Sequence, residues 1–462
     1  MRSIKSLTSI VCFAVLAATS WAHADDAAAS KPPQPSLAAP QETQAPVAPK
    51  TAATPAAAAT LKAAPSAKIP DNAAGPPATA PTGVAAKPDK PPQADAQMAK
   101  PAPAIDTVPG MPPVINPSNI YSQAGKDMIA PVLAGVPTRV YVPHIRSGDL
   151  WEIDPATHAV IAIYNFGRDL QHVVPSYDLK TLWVTASRRN SKTRGELIAI
   201  DPVTGKPTRK IEVYDAYNLY FTPDGASAIV VAEDRRTLEF RDPQTMALQK
   251  SLYIRECEGI NHADFSADGR YAIFTCEFSG RLVKIDMTND KVVGFLSMSK
   301  GGMPQDIRLG PDGKTFYVAN MKLDGVTLVD GDSMKETGFI PTGIATHGLY
   351  PSRDGKDLYV TNRGTHCVNG PPHGPGSISV IDFATGKVVA TWHIPGGGSP
   401  DMGNVSADGK DLWISGRFDN EIYDFNTKTG HVTVMPVDHM PHGLTIYPQP
   451  GRYSLGHTGI MR

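Results

Sequence analysis

The stretch ECEGINHADFSADGRYAIFTCEFSG, residues 256–280, places Cys257, His262 and Cys276 close together in a chain of 462 residues with only four cysteines. Two thiols at this spacing can close a disulfide, can join the imidazole as metal ligands, or can stay as buried thiols. A second such stretch is NRGTHCVNGPPHGPGS, residues 362–377, where His366, Cys367 and His373 sit among Gly and Pro. These could form a metal clip or the edge of a lid, but T-H-C followed by P-P-H is not a specific ligand spacing. The other candidate imidazoles, including His144, His172, His347, His439 and His442, are far apart in sequence, and no H-x-H or H-x-x-x-H pair fixes a metal geometry. No metal set is therefore assigned from spacing. What these residues can do depends on the elements that carry them.

Those elements repeat. HGLYPSRDGKDLYVTNRG, QDIRLGPDGKTFYVANMK, HADFSADGRYAIFTCEFSG and MGNVSADGKDLWISGRF each read as an apolar strand, an S-x-D-G type turn and a second strand of alternating apolar residues. A relative of ISVIDFATGKVVATWHI follows, a third strand ending in Asp, a T-G-K turn and a fourth strand. Asp154, Asp201, Asp242, Asp286, Asp330, Asp382 and Asp424 mark successive copies about 43 residues apart. Four short strands per copy with no helical period predict an all-β, seven-bladed β-propeller of four-stranded antiparallel blades. The first copy lacks its inner strand and a spare one follows the last copy, so the N- and C-terminal strands should pair and close the ring.

The LYVTN of residues 358–362 resembles the signature of the YVTN-repeat β-propeller family, over residues 138 to about 451. More distantly, the chain resembles the haem-binding propeller of dissimilatory nitrite reductases and of proteins that make or handle that haem. The resemblance implies the fold strongly and the activity weakly, because propellers host unrelated functions. The chain has no c-type haem attachment motif, so that chemistry is not carried over, and the cofactor is left unknown.

In such a ring the S-x-D-G and T-G-K turns fall on one face and the longer loops on the other. Most histidines fall on the loop face. The inner strands should ring the channel mouth with Gln171, His172, Asn261, His262, Gln305, Asp306, His347, Asp401 and His442. Polar groups suit trapped water in any propeller channel; converging imidazoles can also hold a transition metal, act as acid and base, or bind an organic ligand. Just after the second strand stand Arg146, Arg188, Arg235, Lys322, Arg363 and Arg417, a cation in six of seven blades, with Phe278 in the seventh. Such a rim could attract a carboxylate or phosphate, although exposed loop tips often carry solvated Arg and Lys. YSLGHTG in the final segment reads as a spare second strand that reinforces the closing blade, or as a tail that tucks His457 against the channel.

The ends suggest a location. MRSIKSLTSIVCFAVLAATSWAHA has two cations, a short apolar run and Ala22-His23-Ala24, the pattern of a secretory leader, residues 1–24, cleaved after Ala24. Residues 25–118 form an Ala/Pro/Lys-rich spacer that cannot bury enough apolar surface to fold, expected to be disordered and able to reach the cell envelope. The propeller should then occupy 119–462. In an oxidising compartment, Cys257–Cys276 is the favoured pairing. A net charge of −1 argues against nucleic acid, and no later stretch is long and apolar enough to span a bilayer. The favoured function is a monomeric, exported, non-catalytic binding or scaffold protein for a protein partner or small anionic ligand. The alternatives are a cofactor or redox protein holding a tetrapyrrole-like ligand, and a lactonase-like hydrolase.

Overall fold

The computed structural model describes residues 104–167, 169–187 and 194–462. The expected leader, most of the expected spacer and Arg188 lie outside the described residues. Seven sheets of four antiparallel strands are present. Blade one runs from Arg139–Pro143 to Val160–Asn165 and takes Thr445–Tyr447 as its inner strand, so the ring closes by the terminal pairing that the repeat count requires. The other inner strands are Leu170–Pro175, Ala216–Phe221, Ile260–Phe265, Pro304–Leu309, Thr346–Pro351 and Pro400–Val405 in blades two to seven. No helix among the described residues is long and apolar enough to cross a membrane.

The repeated polar residues serve the turns. In each S-x-D-G turn the hydroxyl donates to the Asp two residues on: Ser266 to Asp268 at 2.6 Å, Ser352 to Asp354 at 2.7 Å, Ser406 to Asp408 at 2.8 Å. Gly355 follows at φ +70°, a left-handed conformation that glycine adopts without strain. In six blades the Asp ending the third strand accepts from the next turn; Asp382 takes both the amide, at 2.7 Å, and the hydroxyl, at 2.6 Å, of Thr385. In blade seven Asn426 holds that place, accepting the Thr429 amide at 3.0 Å, whereas the expected Asp424 lies two residues earlier and meets His158 at 3.1 Å. This recurring aspartate is structural.

The inner strands are not regular. In blades two to seven the pairing of inner and second strand slips within its first residues, as between Leu170 and Val173, Ile260 and Ala263, Thr346 and Leu349, and Pro400 and Gly403. Straight pairing would set Phe265 opposite Tyr271; instead Phe265 faces Ala272 while Ile260 still faces Cys276. A β-bulge leaves a backbone group unpaired and re-aims the side chain. A Thr or Ser hydroxyl of the second strand repairs it. The amides of His172, His262, Gly348 and Met402 donate to Thr185, Thr275, Thr361 and Ser415 at 2.6–3.2 Å. Thr185 and Thr361 then donate to the carbonyls of Tyr217 and Asp401 in the next blade, both at 2.9 Å.

The turn face is covered. Ordered contacts begin before the compositional boundary at residue 118: Ile105 and Val114 pack beside Ile120, Ile307 and Phe316. The same segment bonds to the turns of blades four, five and seven through Val108, Ile120 and Asp127 at 2.9–3.1 Å. The final segment is not a fourth-edge strand on the closing blade. Residues 453–462 fold into the channel from this face, with His457 donating its amide to Leu219 O at 2.9 Å. The Arg462 guanidinium meets Asp264 at 2.8 Å. Inner-strand edges face the channel, and their free amides draw a strand-like tail; Phe221 donates to Leu455 O at 3.1 Å.

Replacing Thr361 by Val keeps the shape and removes both bonds at the blade-six bulge. The expected loss is roughly 1–3 kcal/mol, the cost of a buried group left unpaired, read as a lower denaturation midpoint. Thr361→Ser should recover most of it.

Candidate functional site

The bulges decide which side chains enter the channel. His172, His262, His347 and Asp401 sit at bulged positions of blades two, four, six and seven, and His442 precedes the inner strand of blade one. All four histidines and Asp401 are buried. The His172 ring lies 4.7 Å from His442 and 5.6 Å from His262 between centroids. His457 stacks on His262 at 4.6 Å and meets His172 at 5.2 Å. Gly443 makes this possible, since a Cβ there would strike the His172 ring.

Asp401 organises one side of the cluster. Its Oδ1 accepts from Arg363 Nε at 3.0 Å and Nη2 at 2.5 Å. Its Oδ2 takes the His442 Nδ1 proton at 2.6 Å, with Arg417 Nη1 at 3.5 Å. The Arg363 guanidinium also donates to His347 Nε2, placing His347 Nδ1 3.1 Å from Asp401 Oδ1. The Tyr217 hydroxyl lies 3.4 Å from His442 Nε2, so Tyr217, His442 and Asp401 form a chain. Burial alone would raise the Asp401 pKa, but Arg363, His347, His442 and Arg417 together hold it well below the usual carboxylate range.

The imidazoles are held neutral. Burial pushes His172 and His262 well below the ordinary range, and the neighbouring histidines add to it. Burial, then Arg363, does the same at His347. Burial, then Arg417, takes His442 down to about 4.

The other predicted site residues divide. Asn261 donates to Glu277 at 2.7 Å, while Asn261 Oδ1 and Gln305 Nε2 are buried without partners. Asp306 lies deeper than the mouth: it accepts the Leu349 amide of the next blade at 2.9 Å, and Arg308 approaches at 3.3 Å. Of the cations, Arg363 and Arg417 turn inward, whereas Arg146, Arg235 and Lys322 are exposed. Arg235 lies over Tyr214, so the described cations form no converging rim. In the long loop His366 pairs with Asp324 at 2.7 Å, His373 lies 3.4 Å from Asp419, and Cys367 is half-buried. Gly370 of that loop packs on Phe418, which lies under Arg363 and Arg417.

Cys257 and Cys276 are joined by a disulfide with Cα atoms 4.9 Å apart, in the apolar core with Ile260 and Phe274. His262 turns the other way, into the channel. The tail takes the second of the two places that the sequence allowed it, with His457 tucked into the channel beside His172 and His262.

No protein-family model and no curated protein matches the chain. Solved structures do resemble it. One is dihydro-haem d1 dehydrogenase NirN in complex with DHE, 13% identical, with TM-score 0.50 over 66% of this chain and 74% of that one. Another is a candidate 6-phosphogluconolactonase from Bacteroides uniformis, 17% identical, TM-score 0.52, over 67% of this chain and 99% of that one. A functionally unknown protein from Desulfotomaculum acetoxidans is 15% identical, TM-score 0.54, over 67% and 98%. At these identities the likeness shows the propeller fold and nothing finer.

The depressed imidazole pKa values set a pH dependence for the metal-free protein. Below about 6.5 the unfolded chain binds more protons than the folded one, so stability is complete above that pH and declines as pH falls toward about 4. Denaturation midpoints at pH 7.5 and pH 5 should differ in that sense. Equal midpoints would contradict the neutral cluster.

Proposed function

We propose that this chain is an exported binding protein that takes a small anionic ligand at the loop-face mouth of its channel and does not turn it over. The carrying observation is a charge imbalance. Two buried or nearly buried guanidiniums, Arg363 and Arg417, converge on one carboxylate, Asp401. They leave one positive charge in excess, and Arg417 Nε has no partner. A desolvated cation of this kind is strengthened by a carboxylate or phosphate more than a solvated one is.

Access supports the same reading. Residues 104–135 and 453–462 cover the turn face, so the loop face is the remaining approach. The His442–Asp401 pair has the Tyr217 hydroxyl as its further neighbour rather than a serine or cysteine nucleophile, which favours binding over hydrolysis. The lactonase reading has only fold likeness behind it. The tetrapyrrole reading likewise has only fold likeness behind it. A protein partner would meet the exposed Arg146, Arg235 and Lys322. The disulfide fits an oxidising compartment, in line with the expected leader.

Two measurements check this reading. In a thermal-shift screen of phosphate, sulfate and small di- and tricarboxylates, at least one should stabilise the protein, and Arg417→Gln should weaken its binding by roughly 10-fold or more. The Arg146→Gln variant should bind normally; a screen with no stabilising anion, or equal loss in both variants, removes the proposal. Expression from the full gene should give a mature protein starting at Asp25 by mass spectrometry, outside the cytoplasm. An intact Met1 there refutes export.

A further inference from the structure

Deeper than Asp401, the channel contains polar atoms that the protein itself does not satisfy. His172 Nε2, His262 Nε2 and His457 Nδ1 are buried and lack hydrogen-bond partners, and His457 Nε2 has only the Asp306 carboxylate, 3.4 Å away. Leaving such a group unpaired is destabilising, and folded proteins rarely leave several in one place. These belong to three imidazoles from separate parts of the chain: the bulges of blades two and four, and the inserted tail. One nitrogen from each lies within 4.8 Å of the other two.

We propose that His172, His262 and His457 bind a transition-metal ion in the propeller channel. The inference assigns a further ligand to the channel described above. It borrows from that reading only the route of entry; the ligand set stands independently.

The surroundings of each ring suit the role. His172 Nδ1 donates to Tyr217 O at 3.0 Å, which fixes the tautomer and leaves the lone pair on Nε2. Backbone carbonyls and carboxylates commonly hold metal-bound histidines in this way. Asp306 Oδ1 lies 3.4 Å from His457 Nε2 and offers that ring a carboxylate support. Binding through His262 Nε2 requires the proton on Nδ1, so the 3.3 Å contact from the Asn218 amide must turn away. Nitrogens around a tetrahedral ion are about 3.4 Å apart, since metal–nitrogen bonds are about 2.0–2.1 Å. The rings therefore need to close by about an ångström, which side-chain rotation and a small movement of the tail can supply.

The donor set also selects the metal. Three imidazoles with no thiolate favour zinc, copper, nickel or cobalt over calcium and magnesium, which prefer oxygen. The two nearest sulfurs are tied up in the Cys257–Cys276 disulfide and packed in the core. Three protein nitrogens leave a coordination position for water or an anion.

The test uses the tag-free mature protein, stripped with chelator and titrated separately with Zn2+, Cu2+ and Co2+. Binding of one equivalent per chain is expected, by calorimetry and elemental analysis, with visible Co2+ absorption bands of nitrogen-ligated metal. His262→Ala and His457→Ala should each weaken binding by at least ~100-fold, while His366→Ala on the outer loop should not. If a variant fails to fold, as judged by circular dichroism, anomalous diffraction from the Co2+-loaded wild type decides, with a peak expected among the three rings. Absence of bound metal in the folded protein at micromolar concentrations overturns the inference and leaves the cluster to trapped water. Stoichiometric binding unaffected by His262→Ala and His457→Ala, or an anomalous peak elsewhere, also overturns it. Anion binding that depends on Arg417 in the metal-free protein would preserve the loop-face reading even then. Metal binding without any anion response would sink that reading alone.

Discussion

Each blade presents one strand edge to the channel, and an edge strand carries amides and carbonyls that water or another group must satisfy. That requirement explains most of what fills the channel. Asp264 accepts the Leu309 amide at 2.8 Å and Asp306 accepts the Leu349 amide at 2.9 Å, each carboxylate reaching across to the next blade. Asn404 accepts from Ile446 at 3.0 Å, and the Tyr220 and Tyr350 hydroxyls accept from Ala263 and Gly403, both at 2.9 Å. The tail supplies carbonyls where side chains do not. Buried charge follows from the same need, since Arg308 and Arg462 accompany the carboxylates that patch the edges.

The bulges solve the edge problem in one place and create the site in another. By slipping register, the strand turns a side chain inward that a regular pleat would have sent between blades. The recurring cost is one amide per bulge, met by a Thr or Ser hydroxyl from the second strand in blades two, four, six and seven. The residues released by this slip are His172, His262, His347 and Asp401. Histidines at the loop-side ends of these strands thus share one small volume, although dozens of residues separate them in sequence.

Two chemically distinct layers result. Toward the loop face, Asp401 gathers two arginines and two histidines, which leaves Arg417 Nε without a partner. Beneath it, His172, His262 and His457 bring ring nitrogens within 4.8 Å of one another, with the Asp306 carboxylate 3.4 Å from His457 Nε2. The upper layer resembles a site for an anion, the lower a site for a cation. The tail matters because it contributes to the lower layer while its Arg462 holds Asp264 below it. A peripheral segment by sequence is therefore central in space.

Much of this was legible in the residues. The turn signals, the alternating second strands and the count of Asp-ended third strands determine seven blades and their closure, because those features are local and repeat with a fixed period. The short separation and oxidising context favoured the Cys257–Cys276 bridge. The inward cations and the deep position of Asp306 were not legible, and the sequence left the tail with His457 undecided between the closing blade and the channel. They depend on a one-residue slip in the inner strands of blades two to seven and on which unpaired edges a distant tail comes to satisfy. Local sequence sets turns and strand patterns, whereas the direction of a side chain at a bulge and the packing of a tail in a channel are fixed only when all seven blades meet.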